Sequence, residues 1–161
     1  MIPGVTLRPL RVGDMGWIVH RQALLYEREY GWGVRFEALV ARVAADFMQH
    51  FDAQYEQAWV AERGGELVGA VFLAKVNERT AKLRMLYVEP STRGLGLGRH
   101  LVQTCIAGAR ARGYQTMTLW TNAVLTAARA IYVAEGFTLV HSEVHELFGP
   151  QQVGETWELV L

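Results

Sequence analysis

The stretch Leu83-Arg84-Met85-Leu86-Tyr87-Val88-Glu89-Pro90-Ser91-Thr92-Arg93-Gly94-Leu95-Gly96-Leu97-Gly98-Arg99-His100-Leu101-Val102 constrains this chain more than any other. From Thr80 the residues alternate as in a strand toward Val88, and Pro90 stops the strand. Glycines then stand at 94, 96 and 98, and helical periodicity runs from Gly98 to Arg112. A strand, a glycine-rich loop and a helix follow one another directly. Without Cβ atoms at three alternate positions, the main-chain N–H groups of the loop can turn toward one point. The helix behind adds its own unpaired N–H groups and the positive end of its dipole. That combination suits a phosphate or pyrophosphate, although glycines in such a turn can also serve close packing alone.

Spacing narrows the ligand. A P-loop needs a Gly-Lys pair, and the chain has none. A dinucleotide fingerprint needs a third glycine where this chain has Arg99, or Leu101 in the frame that begins at Gly96. Arg93-x-x-Gly96-x-Gly98 is the pattern that remains.

Elsewhere the chain alternates strands and helices. Residues 5–10 read as a strand, with Pro9 at an edge or an end. Asp14 is placed to cap a helix from Met15 to about Arg28, which Tyr30-Gly31-Trp32-Gly33 breaks. Phe36, Leu39, Val40, Val43, Phe47 and Phe51 keep helical spacing and predict a second helix with a core-facing stripe. Residues 57–61 and 66–76 predict two strands joined at Arg63-Gly64-Gly65, and residues 80–88 a third. The helix after the glycine loop closes at Gly113, and residues 115–120 form the next strand. Thr121 or Asn122 then caps a helix that runs to Glu135 and ends at Gly136. Strands over 137–147 and 155–161 flank a loop at 148–154. The order β-α-α-β-β-β-α-β-α-β-β predicts an α/β (α+β) architecture, a mixed sheet with helices on both faces.

At 161 residues, with 51% hydrophobic and 20% charged, the chain is expected to form a single packed domain over 1–161. Sixteen basic residues balance sixteen acidic ones, so no general attraction to nucleic acid or an anionic membrane is expected, although Arg84, Arg93 and Arg99 could draw phosphates locally. The lone Cys105 lies on the apolar side of its helix and reads as a buried thiol. No apolar run reaches membrane-spanning length and the first residues lack a secretory core, so cytoplasm is the expected location.

Arg93-x-x-Gly96-x-Gly98 after a strand ending in a hydrophobic-Val-x-Pro sequence resembles the acyl-CoA pyrophosphate loop of the GCN5-related N-acetyltransferases (GNAT family). About thirty residues on, Ala128, Ile131, Tyr132, Gly136 and Phe137 resemble that family's A-x-x-[LI]-Y-x-x-x-G-F ending. Many relatives carry an asparagine seven residues before the tyrosine; here that position is Leu125 and the nearest asparagine is Asn122. The tail, from Leu119-Trp120-Thr121-Asn122 through Trp157, is similar to the acetyltransferase module of bacterial MarR–GNAT fusion proteins, but no winged-helix segment accompanies it.

The resemblance implies a largely antiparallel sheet of about seven strands, acetyl-CoA as cofactor, and acetyl transfer to a primary amine, a small molecule or a free amino group. It implies that the main chain of Leu86, Tyr87 and Val88 holds the pantetheine arm and thioester. Arg93, Gly94, Gly96, Leu97, Gly98 and Arg99 would hold the pyrophosphate, with Asn122 and Ala128 as further cofactor contacts. Tyr132 would be the catalytic acid, giving a proton to the departing thiolate. For the acceptor, Glu29, Tyr30, Trp32, His141, Glu143 and His145 are the candidates, and Glu27, Glu29, His141, Glu143 and His145 the candidate bases. No metal is implied. The central strand carries Lys82 and Arg84 where a carboxylate base would be convenient. A homodimer is compatible with this reading, and a non-catalytic acyl-CoA-binding regulatory module is its alternative.

Overall fold

The computed structural model describes residues 2–161. β1 (Val5–Arg8), β2 (Gln57–Arg63), β3 (Glu66–Lys75) and β4 (Thr80–Val88) pair antiparallel in that order. β2 and β3 join through Gly64-Gly65, whose φ angles of 59° and 81° give the tight hairpin that right-twisted strands favour. β5 (Thr116–Asn122), β7 (Gln152–Val160) and β6 (Thr138–His145) form a second antiparallel set. The two sets make one seven-stranded sheet, ordered β1-β2-β3-β4-β5-β7-β6.

The join between them is short. β4 and β5 run parallel and pair only at Thr80–Thr116, Ala81–Met117 and Lys82–Thr118. Beyond Lys82, β4 carries a bulge against β3 and Met85 takes the left-handed conformation, φ 54°. A bulge bends and twists its strand, and for a side chain like Met the conformation costs about 1–3 kcal/mol, which surrounding packing must hold. β5 meanwhile stays on β7 as far as Asn122–Gly154. The sheet is therefore open between the C-terminal halves of β4 and β5.

α1 (Asp14–Tyr30) and α2 (Gly33–Gln49) cover one face, and α3 (Leu97–Ala111) and α4 (Thr126–Ala134) the other. β3 lies between them. Its Val71 and Leu73 pack with Leu97, Leu101 and Cys105, whereas Ala70 and Phe72 pack with Ile18, Ala44 and Phe47. Burial on both sides explains why Leu67 to Ala74 is almost continuously apolar. A third cluster, Trp32, Phe36, Val40 and Phe148, sits where the sheet opens.

The element order follows the sequence expectation, with strand ends shifted by a few residues and the following local differences. Asp14 does not cap α1: Gly13 stands at that position, and the Asp14 carboxylate instead accepts Arg8 at 2.7 and 3.0 Å and the Arg11 N–H at 2.6 Å. α1 continues to Tyr30, where Gly31 at φ 69° closes it. Phe51 falls outside α2 and is half exposed, so it is not core. α4 begins at Thr126 rather than at Thr121 or Asn122, because β5 keeps pairing through Asn122, whose side-chain oxygen accepts the Val124 N–H at 3.2 Å. β7 begins at Gln152 because the hairpin with β6 starts at the His145–Gln152 pair.

Candidate active site

The opening between β4 and β5 holds a cavity of about 380 Å³. Leu86 from β4 and Asn122, Ala128 and Tyr132 from the β5–α4 segment line it, together with Tyr26, Trp32, Phe36 and Phe148. The aromatic wall is stacked. Trp32 lies 5.1 Å from Tyr26 and 4.9 Å from Tyr30, nearly parallel, and Phe36 meets Phe148 edge to face at 5.1 Å. Gln22, in the middle of α1, is buried and lines the same space. Its Nε2 donates to the Leu86 carbonyl at 3.4 Å, which fixes the amide orientation, since a carbonyl can only accept. Its Oε1 has no partner among the described residues.

The glycine loop lies where β4 ends. A 3₁₀ turn, Pro90–Thr92, follows the strand, and Thr92 Oγ1 donates to the Glu89 carbonyl at 2.8 Å. Gly94 and Gly96 have φ of 80° and 78°, a conformation that admits other residues only with strain. Gly96 is the N-cap of α3, and His100 is the first residue whose N–H returns to it, at 3.0 Å. Among the described residues, the N–H groups of Gly94, Gly96, Leu97, Gly98 and Arg99 make no backbone hydrogen bond. Five donors at a helix start make an anion cradle. Gly98 has another duty: a Cβ there would sit 3.0 Å from Ile131 Cδ1, so its lack of a side chain lets α3 approach α4.

Tyr132 projects from α4 into the cavity wall. Its ring is buried against Phe137 at 5.6 Å and Trp157 at 6.5 Å. Its hydroxyl makes no hydrogen bond to the described residues. Burial, with smaller contributions from Tyr26 and Cys105, pushes the phenol well above its ordinary pKa, so it stays protonated at every physiological pH. α4 is fixed behind it by an ion pair to a buried carboxylate: Arg129, itself partly exposed, reaches the two Glu155 carboxylate oxygens through Nε and Nη2 at 2.7 and 3.2 Å, and Trp157 Nε1 donates to the same group at 3.3 Å.

A splayed parallel strand pair, an N–H cradle at the end of one strand and a buried phenol across the opening form one arrangement. A family model for the acetyltransferase (GNAT) family matches residues 22–137, from Gln22 in α1 to Phe137 after α4. The chain belongs to the acetyltransferase (GNAT) family. It is 34% identical over 147 residues to a mycothiol acetyltransferase of Sanguibacter keddieii, covering 86% of this chain and 45% of that protein. It is 30% identical over 145 residues to a mycothiol acetyltransferase of Streptomyces bingchenggensis, covering 88% and 45%. The chain thus spans under half the length of these relatives. In fold it is similar to yncA of Salmonella typhimurium, solved with its cofactor acetyl-CoA (TM-score 0.76, 21% identity, 98% and 94% of the two chains). It is likewise similar to a spermidine N-acetyltransferase of Vibrio cholerae in complex with CoA and spermine (0.74, 21%, 98% and 95%).

Within this GNAT chain the expected site residues fall into distinct places. Leu86, Asn122, Ala128, Tyr132, Trp32 and Glu143 line the cavity together. Tyr87 is buried on the α1 side of β4, where its ring belongs to the core and its hydroxyl has no partner among the described residues, and it does not line the cavity. Val88 packs on the α3 side, and Leu97 is a core side chain whose N–H alone is available. Arg93 is exposed and lies 3.7 Å from Glu29. Arg99 is held by Glu135 at 2.7 Å across the α3–α4 contact. Tyr30 does not line the cavity but stacks on Trp32 and Tyr26, which do, and His145 packs against Trp120 and Phe148. His141 is exposed, 3.9 Å from Glu143, and lines nothing.

Sequence reasoning missed Gln22, Tyr26, Phe36, Lys82, Arg84, Met85, Trp120, Leu125 and Phe148 as lining residues. Lys82 and Arg84 carried a usable signal, two cations alternating on a strand that the family's loop follows. Phe148 carried none, since it sits in the turn between β6 and β7. Among the described residues no helix is long and apolar enough to cross a membrane, and no group of three or more His, Cys, Asp or Glu is placed to hold a metal.

Proposed function

We propose that the chain is an acetyl-CoA-dependent N-acetyltransferase that acts on a primary amine. The observation that carries the reading is the continuity of the N–H cradle at 94–99, the open edge of β4 and the cavity where Tyr132 stands. The residues present fit the cofactor. The five unpaired N–H groups and exposed Arg93 would take the pyrophosphate, and the freed main chain of 86–88 would take the pantetheine arm as an added strand. Acetyl-CoA supplies the acetyl group as an activated thioester.

Transfer forms a C–N bond, breaks a C–S bond, removes a proton from nitrogen and delivers one to sulfur. Tyr132 holds the proton for sulfur. In water a phenol, pKa about 10, is a weaker acid than a thiol, about 8.5, so the delivery costs about 2 kcal/mol. The buried site narrows that gap, because the desolvation that disfavours a phenolate also disfavours the thiolate. Of the candidate bases, only Glu143 lines the cavity, and we assign it the proton from the amine, directly or through solvent. Asn122 is buried and hydrogen-bonded to Gln152 and to the Val124 N–H, which fits a role in shaping the start of the β5–α4 connection.

Thiol release from acetyl-CoA with a panel of primary amines tests this reading. Amine-dependent release by wild type supports it. Tight CoA binding with no release across a broad panel would favour the non-catalytic acyl-CoA-binding module instead.

A further inference from the structure

We propose that the acceptor is a free α-amino acid with an apolar or aromatic side chain, its carboxylate held by Arg84 and Lys82 and its amine by Gln22. The inference rests on the acetyl-transfer reading of the same cavity and concerns only what occupies its acceptor half.

The first observation is charge without a counter-charge. Lys82 and Arg84 project from the α1–α2 side of β4, half-buried, and both line the cavity. Among the described residues neither makes an ion pair or a side-chain hydrogen bond, whereas Arg8, Arg21, Arg99 and Arg129 are each held within 2.7 Å of a carboxylate. Asp46 and Glu56 are the carboxylates whose charge reaches Arg84, and both lie beyond ion-pair distance. Burial lowers the pKa of Lys82, and the neighbouring Arg84 lowers it further. Two half-buried cations side by side repel and are poorly solvated, which an anion between them relieves. A guanidinium presents its donors as a planar fork that matches a carboxylate.

The second observation is independent. Gln22 is 5% exposed and lines the same cavity, and its Oε1, itself buried, has no donor among the described residues. A buried carbonyl oxygen of this kind calls for an N–H. An amine supplies one and would sit beside Leu86, whose carbonyl holds the other end of the Gln22 amide.

The third is the apolar wall of Trp32, Phe36 and Phe148, which accepts a hydrophobic side chain. Polycations are disfavoured by the same two residues that favour a carboxylate. At about 380 Å³ the cavity lies at the small end of ligand sites, which run to about 1,000 Å³. The reaction joins the amino nitrogen to the acetyl carbon, breaks the thioester C–S bond and passes one proton from nitrogen to sulfur. The products are an N-acetyl amino acid and CoA.

The experiment compares each acid with its decarboxylated amine: L-phenylalanine with phenethylamine, and L-leucine with 3-methylbutylamine. Two readouts are taken, kcat/KM from thiol release and direct titration of the CoA-bound protein by the fluorescence of Trp32 and Trp120. We expect each acid to exceed its amine by about tenfold or more in both readouts, as one charge-assisted contact provides. Arg84→Gln should collapse that ratio, Arg84→Lys should restore part of it, and Gln22→Leu should lower acid and amine alike. Ratios near one in wild type, a ratio unmoved by both Arg84→Gln and Lys82→Gln, or no titration by either acid would each overturn the proposal. Turnover of other amines with no preference for the acids would sink this proposal alone. Absence of acetyl-CoA binding would sink the acetyl-transfer reading beneath it.

Discussion

Replacing Tyr132 by Phe separates chemistry from stability at this site. The ring is buried against Phe137 and Trp157, and the substitution keeps all of that packing. Its hydroxyl makes no hydrogen bond to the described residues, so its loss leaves no protein group newly unsatisfied. Stability should change by less than about 1 kcal/mol, the net worth of an ordinary hydrogen bond. Activity should behave differently. Removing a positioned proton donor slows a reaction about 10²–10⁴-fold, which is about 2.7–5.5 kcal/mol of barrier. The effect should fall on kcat and leave acetyl-CoA affinity within about threefold of wild type, because the phenol acts at sulfur and the cradle holds the phosphates. Since burial holds the Tyr132 phenol protonated, the loss should be the same factor at every pH from 6 to 9. The assay is steady-state thiol release across that range, paired with denaturant unfolding of both proteins. Full turnover by Tyr132→Phe at every pH would refute the role assigned to Tyr132. A loss matched by a large fall in stability would refute the separation.

Other consequences follow from the same packing. Stability should fall at alkaline pH: burial raises the pKa of Cys105 and Tyr132 strongly and that of Tyr26 to about 12, so the unfolded chain loses these protons first. The stabilisation is complete below the unfolded values and drains as pH rises past them. From about 8.5 for the thiol, Cys105 alone accounts for about 2 kcal/mol by pH 10. Chemical denaturation at pH 7.5 and 10 measures this, and Cys105→Ala should remove that share; a flat profile would contradict it. Gly154→Ala would place a Cβ 2.5 Å from the Trp120 ring, so a cost of about 1–3 kcal/mol and a shifted Trp120 fluorescence are expected. Arg129→Met leaves the Glu155 carboxylate buried without its cation and should cost about 3 kcal/mol, most of it recovered when Glu155→Gln is added. A double-mutant cycle in urea gives the coupling; additive losses would argue against it.

Much of this architecture could be read from the chain because glycine punctuates it where the backbone requires a positive φ. Gly64-Gly65 turns β2 into β3, Gly31 and Gly113 close helices, and Gly94 and Gly96 shape the loop, each with φ between 59° and 81°. The loop and Tyr132 were legible because both are local patterns. What sets them facing one another was not. The bulge at Met85 puts a residue with no preference for the left-handed region there, and packing against two clusters holds it. Asp14 satisfies every local rule for a helix cap and is taken instead by Arg8, six residues back, and the Arg11 N–H. Gln22 is one polar residue in the middle of a helix, and only its burial and its unpartnered oxygen mark it. Arg99 shows what a local motif leaves out, since the Glu135 carboxylate that accepts its Nε–H at 2.7 Å stands thirty-six residues on.

The proposed path of the acyl donor runs from the cradle at 94–99 along the open edge of β4 to Tyr132. Amide hydrogen exchange with and without acetyl-CoA tests this residue by residue. Slowed exchange is expected at Gly94 to Arg99 and across Leu86 to Val88, with little change in the exposed edge strand β6. Protection centred instead on a second cavity, lined by Arg21, Arg28 and Ser91, or no protection under saturating acetyl-CoA, would contradict it.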